Sequence, residues 1–350
     1  MAGWMLEILG LPREASVGFV TGGQMANFTG LAAARGALLR RSGWDVYERG
    51  LWGAPPVRVL AGAHAHATIF AALRLLGMGT ADVVLIDTDA QGRMRADALA
   101  RALADSAEPT LVCLAAGNVN TGAFDPFDAV ADATDAHGRC WVHVDGAFGL
   151  WAGASPRLRH LLDGAQRADS WALDGHKWLN VPYDSGIAVV RDAEAHRAAM
   201  SLAAPYLVRS ADGRGDGTGY VPEASRRARG FVLYATLRAL GRDGVAAMIE
   251  RCCEHARAFA QMLAAVEGVE ILNEVVLNQV LVRFEAATAE AGDARTRGVI
   301  EAVQRDGTLW ADGTTWDGRA AMRLSIVNWS TTPADVERCV AAIVRAAQQT

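Results

Sequence analysis

Cys140-Trp141-Val142-His143-Val144-Asp145-Gly146-Ala147-Phe148-Gly149 is the stretch that decides the fold. A short β-rich run ends on a carboxylate, and a glycine-containing turn leaves it. A helix is expected over 155–167, a second strand over 170–174, and then Lys177. Asp145 and Lys177 are separated by 32 positions, close to the length of one βαβ unit. Two parallel strands joined in that way present both side chains at the carboxyl edge of the sheet, where open α/β sheets bind ligands.

The lysine is singular. Lysine and arginine total 34, and 33 of these are arginine, so Lys177 is the one lysine of the 350-residue chain. Arginine has served wherever positive charge alone was needed. It cannot serve where a neutral amine must attack a carbonyl, because guanidinium stays protonated. A lysine and a carboxylate facing one crevice suit pyridoxal phosphate (PLP): the amine holds the aldehyde carbon and the carboxylate keeps the pyridine nitrogen protonated. A plain Asp–Lys ion pair at a loop edge is the simpler alternative.

Outward from this unit, strands are expected at 57–61, 83–87, 110–115, 140–145, 170–174 and 186–191, with helices at 25–41, 67–76, 95–104 and 127–135. The alternation reads as α/β with a mainly parallel sheet. A glycine-rich loop is expected over 211–219, then a helix over 223–263 broken near 241–244. The rhythm then changes, with strands at 269–273, 279–284 and 321–325 and helices at 295–305 and 333–347. That pattern predicts a large domain over 1–245 and a small α+β domain over 246–350.

Composition narrows the function. A net charge of −5 argues against a phosphate-coating nucleic-acid surface. The densest basic cluster, Arg226, Arg227 and Arg229, reads as a solvated face or local ion pairs. No run approaches the roughly 18–20 apolar residues of a membrane span, and Met1–Leu11 lacks a signal-peptide pattern. Five cysteines without metal-ligand spacing suit a reducing compartment, so a cytoplasmic protein is expected. His143 and Asp145, two apart on a strand, face one side without an evident third ligand, so no metal is expected.

Thr21-Gly22-Gly23-Gln24 precedes a helix, where glycines let backbone N–H groups reach an anion at the positive end of the helix; an ordinary turn explains the glycines equally. His66 stands just before another helix, placed either to stack on a planar cofactor or to cap locally, and His64 competes with it.

Taken in order, these segments resemble the group II PLP-dependent amino-acid decarboxylases, relatives of aromatic-amino-acid and glutamate decarboxylases with the aspartate-aminotransferase-like fold (fold type I). The resemblance rests on Thr21-Gly22-Gly23-Gln24-Met25-Ala26-Asn27, His66-Ala67-Thr68-Ile69, Gly117-Asn118-Val119-Asn120-Thr121-Gly122-Ala123, His143-Val144-Asp145-Gly146-Ala147-Phe148-Gly149, Asp174-Gly175-His176-Lys177-Trp178 and Pro222-Glu223-Ala224-Ser225-Arg226-Arg227. It implies a Schiff base at Lys177, Asp145 on the pyridine nitrogen, Ala147 under the ring and His66 over it. It also implies Gly23, Gln24 and His176 at the phosphate, and Asn118 near the ring or the substrate carboxylate.

The resemblance further implies loss of carbon dioxide from an L-amino acid through a Lys177 aldimine and a quinonoid, in a homodimer. Transamination, aldehyde-forming oxidation, carbon–carbon lysis or an impaired short form are the alternatives on the same fold. Met1–Leu11 resembles the last helix before the phosphate loop, so the further N-terminal segment of the family, which embraces the partner and shapes the pocket, is expected to be absent. The family's loop tyrosine, which returns a proton to the substrate, is matched to Tyr220, with Tyr206 as the weaker alternative.

Overall fold

In a computed structural model of the chain, residues 1–202 and 217–350 are described. They separate into two units, residues 1–116 with 124–245, and residues 117–123 with 246–350.

The first unit runs α1 (Ala2–Leu9), β1 (Ser16–Val20), α2 (Gly23–Arg41), α3 (Val46–Arg49), β2 (Arg58–Gly62), α4 (Ala67–Leu75), β3 (Val84–Ile86), α5 (Ala96–Ala104), β4 (Thr110–Ala115), α6 (Phe127–His137), β5 (Cys140–Asp145), β6 (Ser170–Asp174), β7 (Gly186–Val190), α7 (Ala193–Met200) and the first part of α8 (Gly230–Ala264), whose residues from Ala246 onward belong to the second unit. Among the described residues the strands form one sheet in the order β1-β7-β6-β5-β4-β2-β3. The five from β3 to β6 are parallel, and β7 and β1 are added antiparallel. β6 and β7 are buried along their whole length, as is β5 after Cys140, the pattern of strands covered on both faces. α2 packs on β5, β6 and β7. Three fully buried indoles flank β6, two at its start and one at its end, each with its N–H placed: Trp141 donates to Ser170 Oγ (2.9 Å), Trp171 to the Ala165 carbonyl (2.9 Å) and Trp151 to the Asp174 carbonyl (2.8 Å).

Two expectations are corrected, and one strand was not expected at all. The helix expected over 155–167 is instead a series of short 3-10 turns, at Gly149–Ala154, Arg159–Leu162 and Ala165–Arg167. Pro156 disfavours helical backbone at Ser155, and Gly164, at φ 89°, stops any helix before Ala165. The run 223–229 is not helical either: α8 begins at Gly230, and Arg226 and Arg227 instead spend guanidinium N–H groups on the backbone carbonyls of Glu223, Ala224, Gly217, Tyr183 and Asp184. α8 does break where expected, at Gly241 (φ 64°). Finally, β1 carries no strand expectation in the sequence. Its Gly18 is required by close approach, since a Cβ there would lie 2.1 Å from the Tyr220 carbonyl oxygen.

The second unit holds β8 (Val269–Ile271), β9 (Gln279–Phe284), α9 (Ala289–Asp306), β10 (Asp312–Trp316), β11 (Arg319–Ser325) and α10 (Pro333–Gln349). Its antiparallel sheet has the order β10-β11-β9-β8. The segment 117–123 joins this unit: the Asn273 side chain donates to the Thr121 carbonyl (3.0 Å) and Thr314 Oγ1 bonds Asn120 Oδ1 (3.0 Å). α10 starts on a capping box, with Thr332 and Asp335 satisfying each other's backbone N–H groups.

Candidate active site

Register places the two principal groups. In the parallel β5–β6 pair Asp145 lies opposite Ala172, so Asp174 and the turn that carries Lys177 continue past the same edge. The turn after β5 is stapled there by Gly146 N–H to the Ala172 carbonyl (2.9 Å) and by Asp174 N–H to the Ala147 carbonyl (2.9 Å). Lys177 is held from both sides. Trp178 next to it is fully buried, and its own Nζ sits 3.3 Å from Asp174 Oδ2 while the side chain stays 39% exposed. A half-exposed amine on a buried turn can be approached by a substrate without its stem moving far.

Asp174, the partner of Lys177, also borders the start of α2. α2 starts at Gly22–Gly23, so its first N–H groups have no partner within the helix. A Cβ on Gly22 would stand 3.1 Å from His176 Cε1, and one on Gly23 2.8 Å from Asp174 Oδ2. Glycine at both positions is what lets the His176 ring and the Asp174 carboxylate lie against the start of α2. His176 Nδ1 accepts the Ser185 N–H (3.1 Å), so the neutral ring carries its proton on Nε2, which stands 3.4 Å from Asp174 Oδ1. The ring stacks on Tyr183 at 4.2 Å. Asp174 is 2% exposed and its Oδ1 makes no hydrogen bond. Burial pushes its carboxyl up, opposed by the charges of Lys177 and His176. Gln24 is exposed on the first turn of α2. Gly23→Ala is expected to weaken PLP affinity by ~10-fold or more, the scale of losing one charge-assisted hydrogen bond, measured by fluorescence titration of the ligand-free protein.

Asp145, at the end of β5, is buried and doubly held. Asn27 Nδ2 donates to its Oδ2 (3.0 Å) and Ala147 N–H to its Oδ1 (3.2 Å). Asn27 also donates to Thr68 Oγ1 (3.1 Å). Thr68 in turn meets His66 Nδ1 (2.8 Å), and His66 caps α4 by accepting the Thr68 N–H (3.3 Å). The ring caps α4, as one of the two expected readings has it, and is exposed. Behind Asn27, His143 bonds both Asn27 Oδ1 (2.9 Å) and Ser170 Oγ (2.8 Å). The sequence supplied no role for Asn27. The available signal was a polar residue inside an otherwise small and apolar helical run, one turn before Gly30.

Two buried histidines make stability depend on pH. Burial lowers His143 to about 4 against the opposing charge of Asp145, and lowers His196 to about 4 as well. Both stay neutral in the fold and protonate more readily when unfolded. Their contribution is complete above the ordinary value of 6.5 and is lost as pH falls through about 4, each on the order of 3 kcal/mol. Asp125, pushed up to about 6 by burial, works in the opposite sense, its contribution being lost as pH rises through about 6. The thermal midpoint is expected to fall between pH 6.5 and 4, and His196→Gln to flatten that fall, as read by scanning calorimetry.

The remaining site expectations are Asn118, Tyr220, Tyr206 and His64. Asn118 belongs to the second unit, where its Oδ1 accepts the N–H groups of Asn120 (2.9 Å) and Thr121 (3.3 Å). Tyr220 closes a short 3-10 turn; its hydroxyl accepts from Arg197 (2.8 Å) and its ring tilts against His196 at 5.0 Å. His196 Nδ1 bonds Ser16 Oγ (2.8 Å), and Ser16 pairs with Val190. Because β7 runs antiparallel to β6, Val190 lies opposite Ser170, at the other end of the strands from Asp174. Tyr220 is thereby tied away from the edge that holds Asp145 and Lys177. Tyr206, and residues 211–216 of the expected loop, lie outside the described residues. His64 is half-buried two positions before His66.

Comparison with known proteins closes the case. The family model of the pyridoxal-dependent decarboxylase conserved domain matches residues 1–286. An L-2,4-diaminobutyrate decarboxylase of Rhizobium meliloti is 32% identical over 99% of this chain and 68% of its own length. Tryptophan decarboxylase 1 of Oryza sativa is 31% identical over 92% of this chain and 67% of its own. The structure of Oryza sativa TDC with PLP and tryptamine superposes with a TM-score of 0.91 at 28% identity, covering 99% of this chain and 74% of that one. Mouse CSAD gives 0.89 at 26% identity, covering 99% and 75%. With a lysine and two buried carboxylates on one sheet edge, and with these relatives, the chain belongs to the pyridoxal-dependent decarboxylase family and is a PLP-dependent amino-acid carboxy-lyase.

Proposed function

We propose that Lys177 attaches the cofactor and that this chain removes the α-carboxylate of an L-amino acid, releasing an amine and carbon dioxide. The observation that carries the reading is the sole lysine of the chain, set 3.3 Å from a buried carboxylate on the sheet edge that also ends β5 at Asp145. The residues present fit PLP. The start of α2, whose first N–H groups have no partner within the helix, and the lone lysine beside a buried carboxylate support a place for an anionic aldehyde cofactor. When bound, PLP supplies an electron sink for the pair left at the α-carbon.

The roles of the chain's own groups follow from their chemistry. The Gly23 N–H and its neighbours at the start of α2, with Gln24 and the Nε2–H of His176, bind the phosphate. Asp145, its oxygens fixed by Asn27 and Ala147, holds the proton on the pyridine nitrogen. Ala147 offers a small surface beneath the ring and His66 a flat one above it. Asp174 keeps the Lys177 amine oriented as its charge changes. Tyr220 is retained as the proton-donor candidate, its bond to Arg197 opening to free the hydroxyl.

The relatives' names span diaminobutyrate, tryptophan and aspartate, so the substrate is proposed only as an L-amino acid. A cytoplasmic homodimer completes the reading. It is supported by five free thiols and by exposed apolar groups on α1 and α8, Trp4 stacked on Tyr234 with Phe231 nearby in sequence. No described helix is long and apolar enough to cross a membrane. An amino-acid panel incubated with the PLP-loaded protein and read by mass is the test: an amine lighter by carbon dioxide is expected, whereas a keto acid or an aldehyde would refute decarboxylation. Light scattering checks the dimer.

A further inference from the structure

Deep to Asp145 lies a file of hydrogen bonds whose direction is fixed at both ends. At one end is the Trp141 indole, which can only donate, and it donates to Ser170 Oγ (2.9 Å). At the other is Asp145, a carboxylate that can only accept, and Asn27 Nδ2 donates to it (3.0 Å). Between them stand Ser170 Oγ to His143 Nδ1 (2.8 Å) and His143 Nε2 to Asn27 Oδ1 (2.9 Å). The carboxylate orients the amide with its NH2 group outward, so the amide oxygen faces His143 and that nitrogen must carry the imidazole proton. His143 Nδ1 is then a bare acceptor for the Ser170 hydroxyl, whose own oxygen receives the indole N–H.

Every group in the file is buried. The second amide hydrogen of Asn27 goes to Thr68 Oγ1 (3.1 Å), and Thr68 meets His66. One amide thus serves both Asp145 and the capping turn that carries His66. Space for the imidazole comes from Gly30, one turn after Asn27 on α2, where a Cβ would stand 2.8 Å from His143 Cε1 and Nδ1.

We propose that Asn27, locked by the Nε2–H tautomer of His143, is the positioning residue that fixes the Asp145 carboxylate for the cofactor's ring nitrogen, with Ser170 and Trp141 as the anchor of the file. The proposal rests on Lys177 and Asp145 being the cofactor residues. It separates positioning from mere packing, because a packing role is satisfied by shape whereas this one requires a donor at the His143 Nε2 place and a donor at Asn27 Nδ2.

The test has two arms. In the first, 15N-histidine NMR of the ligand-free protein, with the His143 signals assigned by their loss in His143→Gln, reads the tautomer directly. A neutral Nε2–H ring at pH 7 is expected; an Nδ1–H ring or a cation overturns the file. In the second, Asn27→Leu and the pair His143→Leu and His143→Gln are loaded with PLP. Asn27→Leu and His143→Leu are expected to lower kcat ~10- to 100-fold with KM nearly unchanged, the range seen when groups that orient a functional residue are removed, while His143→Gln, which keeps a donor near the Nε2 place, recovers most of it. In both leucine variants the pH midpoint of the bound cofactor's visible band is expected to rise by ~0.5 or more, because a less firmly protonated ring withdraws fewer electrons from the nitrogen of Lys177. Unchanged midpoints, or equal loss in His143→Leu and His143→Gln, overturn the proposal. A wild-type protein that binds no PLP at Lys177 instead overturns the reading beneath it, while the NMR arm still reports on the file itself.

Discussion

Lys177→Arg is expected to abolish covalent attachment of PLP and to lower turnover by ~10⁴-fold or more, the scale on which losing a nucleophile acts. Arginine keeps a positive charge within reach of Asp174, so the ion pair now at 3.3 Å persists in kind and folding is not the variable. What is lost is a nitrogen that can be neutral and attack a carbonyl. Borohydride reduction of the PLP-loaded protein, followed by peptide mass mapping, checks this: the wild type carries the reduced adduct on Lys177 and Lys177→Arg carries none. Turnover of the arginine variant within tenfold of wild type would refute the assignment.

Asp145→Asn is expected to give the second largest loss, ~10²–10³-fold in kcat, comparable with removing one preorganised electrostatic contact at a reacting group. The substitution preserves volume on β5 but removes the charge proposed to face the ring nitrogen. It also sets one amide against another, since Asn27 already directs its NH2 group at that position. PLP attachment at Lys177 is expected to survive, because the start of α2 at Gly22–Gly23 and the lysine lie on other segments. Retained cofactor absorbance with depressed kcat is therefore the expected signature, read by single-turnover kinetics and spectroscopy. Loss of both together would place Asp145 in folding rather than in chemistry.

The central pair was legible in the sequence because parallel strands convert spacing into position: a residue at the end of one strand and a residue just past the next emerge on one edge. What filled the interval was not legible. Pro156 and Gly164 break 155–167 into 3-10 turns, yet the crossover still returns the chain in the same direction, so the site survives the error. β1 was missed since it is a five-residue antiparallel addition containing Gly18, whose absent side chain matters to a carbonyl 202 positions later in the chain. Asn27 was quoted within a motif but given no task, because a helix period says which face is buried and nothing about which polar group waits there. Tyr220 was chosen by its neighbourhood to a glycine-rich loop; only strand register shows its hydroxyl bound to Arg197 near the opposite end of the sheet.

The half-exposed amine of Lys177 has a practical consequence. In most proteins an acylating or reductively alkylating reagent scatters over many side chains. Here Lys177 is the only side-chain amine. A reductively alkylating reagent, which leaves alone the thiols and phenols that acylating reagents also attack, therefore becomes a titrant of that one position: the moles incorporated, after correction for the chain terminus, count accessible Lys177 amines. Protection against it by a bound ligand then measures occupancy without any knowledge of what the ligand becomes.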